Sequence, residues 1–246
     1  MSATLVIQSH RKPLPFDWLR PCIDSVENWS RTNGYQHRFI GDEIFDLVAP
    51  ALLQKIGSQT VIASDLARLG ALQQALQEGF DCVVWCDADF LIFEPDELVL
   101  PQADFAFGRE VWVQRADNGR LRAYSKIHNA FMMFRRGNPC LDFYLDSAQR
   151  LLTLNRGGVP PQFIGPKLLT ALHNIAYFPV VETAAMLSPL VLKDLLAGGG
   201  ESLDLLLQTS ADTPAGANLG SSLTETEGFT ESEMQILIRK LLSKGM

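Results

Sequence analysis

Two aspartates, Asp87 and Asp89, interrupt an otherwise apolar stretch of this chain, D-C-V-V-W-C-D-A-D-F-L-I-F. The D-x-D pattern alone is weak evidence, because a chain of this composition contains about one such pair by chance. Its position is more informative, since unpaired carboxylates beside a buried strand are costly unless a cation, hydrogen bonds or solvent compensates. Hard carboxylate oxygens suit Mn²⁺ or Mg²⁺. The pair therefore predicts a divalent-metal site, with a structural turn as the alternative.

A second pair of charged residues, Asp65 and Arg68, lies three positions apart on a predicted helix just upstream. In isolation such a pair is a surface ion pair worth a few tenths of a kcal/mol. This helix, however, leads directly into the strand that carries Asp87 and Asp89, so its edge is expected to border the same crevice. Arg68 would then donate to phosphate or hydroxyl oxygens, and Asp65 would accept from sugar hydroxyls.

Strand-like and helix-like segments alternate along the chain. Apolar runs at 4–9, 35–40 and 82–86 predict strands, and leucines at helical spacing predict a helix over 63–77. Shorter strands are predicted at 104–108 and 111–114. The alternation predicts an α/β fold with a mixed, mostly parallel sheet flanked by helices. Ligands of such sheets collect at the carboxyl ends of the strands, where Asp87 and Asp89 fall.

The composition changes after residue 197 to glycine, serine and threonine. We expect a catalytic domain over 1–197, a flexible linker over 198–229 and a C-terminal amphipathic helix over 230–244. Thr230 and Glu233 have the spacing of a capping box. The apolar stripe of this helix must be covered by the same domain, by a second copy in a dimer or by a membrane surface.

The overall charge argues against nucleic acid as a partner. The net charge is −7 and the pI is about 5.1, whereas binding to a phosphate backbone needs a dominant basic face. No apolar run approaches the roughly 20 residues of a transmembrane helix. The four cysteines contain no C-x-x-C pair. We therefore expect a cytoplasmic protein with free thiols.

The motif S-D-L-A-R-L-G-A-L followed by C-D-A-D resembles the DXD-containing sugar-binding region of glycosyltransferase family 32. That family is related to initiating mannosyltransferases and clostridial glucosylating toxins. Two further segments, H-N-A-F-M-M-F-R-R-G-N-P and F-I-G-P-K-L-L-T-A-L, are similar to the family in order and rough spacing.

The resemblance implies a GT-A fold and transfer of a sugar, with retention, from a UDP- or GDP-sugar to a glycan, lipid or protein. It also implies a bound Mn²⁺ or Mg²⁺ and assigns roles to residues of this chain. Asp87 and Asp89 would be catalytic and would ligate the metal. The donor would be bound by Asp65, Arg68 and Asn129, and the acceptor side would be shaped by Gly165 and Pro166.

Three residues are candidates on the basis of their type and position alone. Lys12, beside Arg11, is a candidate for binding the donor phosphates. His128, next to Asn129, is a candidate for the acceptor side. His128 or His173 is also a candidate third metal ligand, although a histidine at a helix C-terminus is common without any such role.

Two other functions are compatible with parts of this pattern. A sugar-phosphate nucleotidyltransferase would have a glycine-rich phosphate loop after the first strand, but Q-S-H-R-K-P-L-P contains no glycine. A non-catalytic module that binds a nucleotide sugar or a partner protein would not need all four charged residues of the two motifs. An inverting transferase would need a general base, for which Asp104, Glu110 and Glu182 are candidates.

Overall fold

The computed structural model describes residues 3–160 and 162–246, which form a six-stranded sheet, a small three-stranded sheet and the helices packed on them. The strands are β1 Thr4–Ser9, β2 Gln36–Ile40, β3 Cys82–Cys86, β4 Phe90–Ile92, β5 Phe105–Arg115, β6 Leu121–Arg135, β7 Val180–Val181, β8 Ala184–Met186 and β9 Gly216–Asn218. The α-helices are α1 Leu19–Thr32, α2 Pro50–Ile56, α3 Thr60–Gln77, α4 Pro139–Leu154, α5 Pro166–Ala176, α6 Pro189–Ala197, α7 Glu201–Thr209, α8 Ser221–Thr226 and α9 Glu231–Lys244, and a 3₁₀ helix covers Asp42–Leu47.

The large sheet has the strand order β2-β1-β3-β6-β5-β7. Strand β1 is parallel to β2 and β3, and β5 is parallel to β7, whereas β6 runs antiparallel to both of its neighbours. The predicted mixed, mostly parallel sheet flanked by helices is therefore confirmed. Among the described helices, none is long and apolar enough to cross a membrane.

Strand β3 lies at the centre of this sheet, and its five residues are all buried. Such a run of apolar residues without polar alternation is typical of a strand covered on both faces. Helix α3 packs on the same region, and its buried residues include Asp65 and Arg68 as well as alanines and leucines. Both charged side chains therefore lie inside the fold, not on the surface edge that a simple ion pair would occupy.

Strands β5 and β6 form a long antiparallel hairpin, which the sequence predicted only in part. Residues 104–108 and 111–114 were expected as two strands, but Phe105–Arg115 is one strand with a register shift between Phe107 and Gly108. The shift changes which side chains face the core, so the alternation of apolar residues is interrupted there. The neighbouring Gly108 is required because a Cβ at that position would collide with the ring of His128.

The expectation of a flexible linker over 198–229 is wrong. That segment contains α7, β9 and α8, and β9 lies between β4 and β8 in the small sheet. Gly216 reflects tight packing, because a Cβ there would lie 2.8 Å from the Phe90 ring, whereas Gly198, Gly199 and Gly228 adopt positive φ. The small residues of this ordered segment lower its hydrophobicity. Composition alone therefore does not distinguish it from a disordered segment.

The C-terminal helix α9 packs on its own domain. Its apolar stripe of Met234, Leu237, Ile238 and Leu241 joins a core that also contains Trp18. The predicted capping box is present: Thr230 Oγ1 accepts from the Glu233 amide, and the Glu233 side chain accepts from the Thr230 amide. Of the three alternatives for this stripe, the structure therefore selects intramolecular packing.

This packing predicts a large difference between two leucines of α9. Leu237 is fully buried, whereas Leu242 is 48% exposed. We expect Leu237→Ala to lower the free energy of unfolding by about 2–5 kcal/mol, because it removes buried apolar surface and leaves a cavity. The matched change Leu242→Ala should cost less than about 0.5 kcal/mol. Urea denaturation of both variants measures the difference, and equal losses would contradict the docked position of α9.

Candidate functional site

Asp87 and Asp89 lie in a turn directly after β3, at the carboxyl end of the parallel part of the sheet. The Asp87 amide donates to the carbonyl of Ala130 on β6, 2.9 Å away, and the Phe90 amide closes the turn on the Asp87 carbonyl at 3.0 Å. The side chain of Asp89 is buried and that of Asp87 is 23% exposed. The D-x-D motif is therefore presented at the edge of the sheet that the sequence predicted.

Arg68 connects the helix α3 to this turn. One guanidinium nitrogen, Nη1, lies 3.0 Å from Asp87 Oδ1 and donates to the Asn129 carbonyl at 2.9 Å. The other, Nη2, lies 3.4 Å from Asp65 Oδ1. The guanidinium also lies over the Trp85 ring, 5.2 Å from its centroid. A planar fork of donors suits this position because it serves several acceptors at once.

Asn129, on β6, completes the buried network. Its side-chain amide donates to Asp65 Oδ1 at 2.8 Å. The other oxygen of Asp65, Oδ2, is buried and has no hydrogen-bond partner among the residues that the structure describes. A buried acceptor without a donor is costly. Asp65 also lines a cavity, so it offers an unsatisfied acceptor at the edge of that cavity.

Asp89 is held from the C-terminal part of the chain. Asn218, at the end of β9, donates to Asp89 Oδ1 at 2.7 Å and lies 3.4 Å from Asp87 Oδ2. The Ser221 amide donates to Asp89 Oδ2 at 2.6 Å. Both residues lie outside the predicted site, because the composition of this segment predicts a linker. A glycine-flanked asparagine, G-A-N-L-G, was the one available signal for a constrained polar position.

The two aspartates suit a divalent cation of the Mn²⁺ or Mg²⁺ type. One amide nitrogen of Asn218 lies 2.7 Å from Asp89 Oδ1 and 3.4 Å from Asp87 Oδ2, so these two oxygens converge on the position of that nitrogen, which a bound cation would displace. In the described residues, no group of three or more His, Cys, Asp or Glu side chains surrounds that position. A Mg²⁺-like ion is commonly held by one or two carboxylates and by the phosphates of a substrate. These residues therefore fit a cation that binds together with a phosphate ligand.

The protonation of Asp87 should control this cation. Burial raises the pKa of the Asp87 carboxyl to about 6, and the Asp89 charge adds to the rise, while Arg68 opposes it. Because the folded-state pKa lies above the ordinary 3.8, the contribution of this group to stability is greatest at low pH. That contribution is lost as the pH rises through about 6. Ionised Asp87 then needs a positive partner.

We therefore predict that Mn²⁺ stabilises the protein more at pH 7.5, where Asp87 is mostly ionised, than at pH 5.0, where Asp87 is mostly protonated. Thermal melting with Mn²⁺ and a nucleoside diphosphate measures the shift at both values. Melting with the same nucleotide in metal-free buffer gives the baseline for each pH. A metal-induced shift that is larger at pH 5.0 would contradict the role of Asp87.

Two cavities meet at the D-x-D turn. The first has a volume of about 740 Å³ and extends past His10, Arg11 and Phe45, beyond the ends of β1 and β2. The second has a volume of about 540 Å³ and extends past Asn129, Gln162 and Pro166. Both are lined by Arg68, Asp87, Asp89 and Ser222. A ligand with two parts could thus occupy both cavities, with its junction at the carboxylates.

His128 borders the second cavity, but its ring is already engaged. It is completely buried, Nε2 lies 3.0 Å from the Ala184 carbonyl and Nδ1 accepts from the Ala130 amide at 3.1 Å. Burial lowers the pKa of His128 to about 4, so the ring is neutral near pH 7. This geometry gives His128 a structural role between β6 and β8, which differs from the acceptor-side or metal-ligand role expected from the sequence.

Lys12 lies outside both cavities that adjoin the carboxylates. Its ammonium group is over the Phe39 ring, 5.1 Å from the centroid, and the side chain is exposed. The neighbouring Arg11 lines the first cavity instead. The structure thus brings the other residue of this basic pair to the position that Lys12 was expected to occupy. His173, at the last turn of α5, is likewise not among the residues that line either cavity.

Gly165 and Pro166 lie where the second cavity meets Asp65. A Cβ on Gly165 would lie 2.8 Å from Asp65 Oδ2 and 3.0 Å from Asn129 Nδ2. Glycine is therefore needed for the close approach of this backbone to the buried pair. Pro166 begins α5 and lines the cavity.

We expect Gly165→Ala to separate Asp65 from Asn129 and to destabilise the protein by about 1–3 kcal/mol, as overpacking does. Binding of a ligand in the cavity beside Asp65 should weaken as well. Gly158→Ala is the matched control, because a Cβ there meets nothing within 4 Å. Urea denaturation and ligand titration of both variants test this prediction, which equal behaviour of the two alanines would contradict.

Comparison with known proteins gives weak likenesses. No family model and no curated protein matches the chain. A solved glycosyltransferase involved in glycosylation of the major capsid of PBCV-1 is similar over 96% of this chain and 98% of its own, with 12% identity and a TM-score of 0.49. The galactosyltransferase LgtC, in complex with donor and acceptor sugar analogues, is similar over 96% and 95%, with 11% identity and a TM-score of 0.48.

A third structure, the apo form of the glycosyltransferase GlyE from Streptococcus pneumoniae TIGR4, has 9% identity and a TM-score of 0.37. It covers 99% of this chain and 64% of its own length. All three scores lie below 0.5. The function of this chain is therefore argued from its own residues.

Proposed function

We propose that this protein is a divalent-metal-dependent glycosyltransferase that uses a nucleoside-diphosphate sugar. The observation that carries the proposal is the meeting of two cavities at Asp87 and Asp89, beside the buried network of Asp65, Arg68 and Asn129. A nucleoside-diphosphate sugar has two parts joined by phosphates. Its nucleoside would occupy the first cavity, its sugar the second, and its diphosphate the carboxylate junction.

The residues of the second cavity are suited to a sugar. Asp65 lines this cavity and its Oδ2 has no hydrogen-bond donor among the described residues, so this oxygen would accept from a sugar hydroxyl. The guanidinium of Arg68 lies between Asp65 and Asp87 and opposes the rise in the pKa of both carboxyls that burial causes. Asn129 fixes the orientation of Asp65 through its amide. Together these contacts fix the carboxylate oxygens of Asp65 and Asp87 along one side of the second cavity.

In the reaction, the bond between the anomeric carbon and the diphosphate oxygen breaks, and a bond from that carbon to the acceptor hydroxyl oxygen forms. The hydroxyl proton leaves with the diphosphate or to water. A bound Mn²⁺ or Mg²⁺ would neutralise the negative charge that grows on the leaving diphosphate. Asp87 and Asp89 would hold that ion, and Arg11 would add a positive charge at the wall of the first cavity.

We further propose that transfer proceeds with retention. An inverting enzyme would need a carboxylate base near the acceptor hydroxyl. Of the candidates, Glu110 is buried and lies 3.5 Å from Lys126, and Glu182 forms an ion pair with Arg109 at 2.7 Å. Among the described residues that line the second cavity, the acidic ones are Asp65, Asp87 and Asp89. All three already have the roles given above, which favours retention. Membership of glycosyltransferase family 32 stays a prediction.

The nucleotidyltransferase alternative is less well supported. Ser9 at the end of β1 lines the first cavity together with His10 and Arg11 of the loop that follows. This loop contains no glycine that would let backbone amides surround a triphosphate. A non-catalytic binding module would bind the same ligand without turnover. Hydrolysis or transfer of the sugar therefore distinguishes the proposed function from a binder.

The test measures melting temperature with Mn²⁺ alone, with UDP or GDP alone, and with both, followed by a panel of nucleoside-diphosphate sugars. Because two carboxylates supply few ligands, we expect a small shift with Mn²⁺ alone and a larger shift with Mn²⁺ and nucleotide together. Release of free sugar from the stabilising donor should then require Mn²⁺. No joint shift with any nucleotide would overturn the proposal, and release of pyrophosphate from a triphosphate and a sugar phosphate would support the alternative.

A further inference from the structure

The hairpin of β5 and β6 extends beyond the catalytic edge of the sheet. The last residue pair between β3 and β6 joins Cys86 to Phe131, so the part of β6 that precedes Phe131 continues past the end of β3. Along this part β6 pairs only with β5, up to the pair Arg115 and Leu121 at the tip, within the described sheet. The tip is thus carried outward from the edge where Asp87 and Asp89 lie.

The two faces of this projecting hairpin differ in polarity. On one face, Val111 and Val113 are buried in the core that α9 completes. On the opposite face, Trp112 pairs with Tyr124, which is 37% exposed. Next to them, Gln114 pairs with the exposed Arg122, and the Trp112 indole donates to Gln114 Oε1 at 3.1 Å. The outer face therefore presents aromatic rings beside a cation.

The tip is basic although the protein is acidic. Arg115, Arg120 and Arg122 are exposed, and in the described residues none of them forms an ion pair, whereas Arg109 and Lys126 are paired with acids. Asp117 is the acid of the same turn. Residues 105–176 contain ten Lys and Arg against four Asp and Glu. The whole chain contains 21 Lys and Arg against 28 Asp and Glu. Positive charge is therefore concentrated in the part of the chain that contains this hairpin.

We propose that the outer face of this hairpin, formed by Trp112, Arg120, Arg122 and Tyr124, docks on an anionic phospholipid surface. Clustered arginines are attracted to lipid phosphates, and tryptophan and tyrosine favour the interface between headgroups and acyl chains. The acidic remainder of the protein is repelled by the same surface. Attraction at the tip and repulsion elsewhere fix one orientation, which holds the catalytic edge close to the bilayer.

This surface differs from the one that the C-terminal helix would provide. The apolar stripe of α9 is buried, and its exposed residues include Ile236, Arg239 and Leu242. An arginine on α9 therefore offers a matched control for the hairpin. Arg20 on α1 offers a second, because its side chain is 66% exposed and its ion pair with Asp24 is long, at 3.9 Å.

The experiment compares sedimentation of the full chain with vesicles of phosphatidylcholine alone and with vesicles that contain about 30% phosphatidylglycerol. We expect binding to the anionic vesicles only, with loss of binding in about 0.5 M salt, which screens surface charges. The double variant Arg120→Gln/Arg122→Gln should bind roughly 30-fold more weakly, at roughly fivefold per arginine. Tyr124→Ser, which leaves the net charge unchanged, should also weaken binding to the anionic vesicles at low salt. The control Arg20→Gln/Arg239→Gln changes the net charge equally and should bind like the parent.

Equal losses in the hairpin and control variants would overturn the proposal, because binding would then follow net charge alone. Absence of vesicle binding would overturn it too. This holds even if the chain bound another polyanion, such as dextran sulfate, or formed dimers through this face. Melting with Mn²⁺ and nucleotide serves as the folding control for each variant. Because that signal depends on the D-x-D site and not on the hairpin, failure of the membrane proposal and failure of the glycosyltransferase proposal are distinguishable.

Discussion

Asp89→Asn is expected to lower metal-dependent release of sugar from a nucleoside-diphosphate donor by roughly 10³-fold, since a bound cation supplies several kcal/mol of stabilisation to the leaving diphosphate. Asparagine keeps the size of the side chain but removes its charge and one of its acceptor oxygens. The new amide group would also face the Ser221 amide, which now donates to Asp89 Oδ2. The variant should therefore lose the joint thermal shift with Mn²⁺ and nucleotide.

The matched control for this change is Asp146→Asn on the outer surface of α4, where the side chain is 65% exposed. It alters the net charge equally and should leave both the thermal shift and the turnover unchanged. Melting without metal shows how much of the effect of Asp89→Asn comes from the packing around Ser221. Full metal-dependent turnover in Asp89→Asn would rule out Asp89 as a ligand.

Arg68→Met is expected to lower the free energy of unfolding by about 3–5 kcal/mol, because it leaves two carboxylates without their buried counter-ion. Asp65 and Asp87 both contact the guanidinium in the parent protein. The loss should be largest at neutral pH and should diminish as the pH falls, since protonation removes the uncompensated charges. Burial already raises the pKa of both carboxyls, and removing Arg68 would raise them further.

Urea denaturation at pH 7.5 and pH 5.0 measures this change of stability and its dependence on pH. Arg68→Lys keeps the positive charge but loses the fork that reaches Asp65, Asp87 and the Asn129 carbonyl, so it should cost less than Arg68→Met. It also provides a folded variant if Arg68→Met does not accumulate. A loss below about 1 kcal/mol in Arg68→Met, typical of a surface pair, would contradict the buried network.

Local patterns predicted the part of the site that comes from neighbouring elements. The apolar run of β3 located Asp87 and Asp89 at a strand end, and the helical spacing in α3 brought Asp65 and Arg68 to the same region. Sequence spacing could not show that Arg68 is buried. Its burial depends on acceptors from β6 and from the turn after β3, which are distant in the chain.

The contacts made by Asn218 and Ser221 could not be predicted in the same way. They depend on β9 lying between β4 and β8, and each of those strands is three residues long. Strands this short leave little periodic pattern, and the pairing partners come from distant parts of the chain. The hairpin was recognised only in part, because the register shift at Phe107 and Gly108 interrupts its alternation.

The hydrogen bond between Asp89 and Ser221 spans 132 residues of sequence, and this has a consequence during protein synthesis. A nascent chain that has emerged only through α6 contains both aspartates and all six strands of the large sheet, but it lacks the groups that hold the Asp89 carboxylate. The site can therefore become competent only after β9 and the residues that follow it have left the ribosome. A partly translated copy would carry Asp87 and Asp89 without a finished site, so binding of a metal and nucleotide at these residues is expected only after Ser221 has been synthesised.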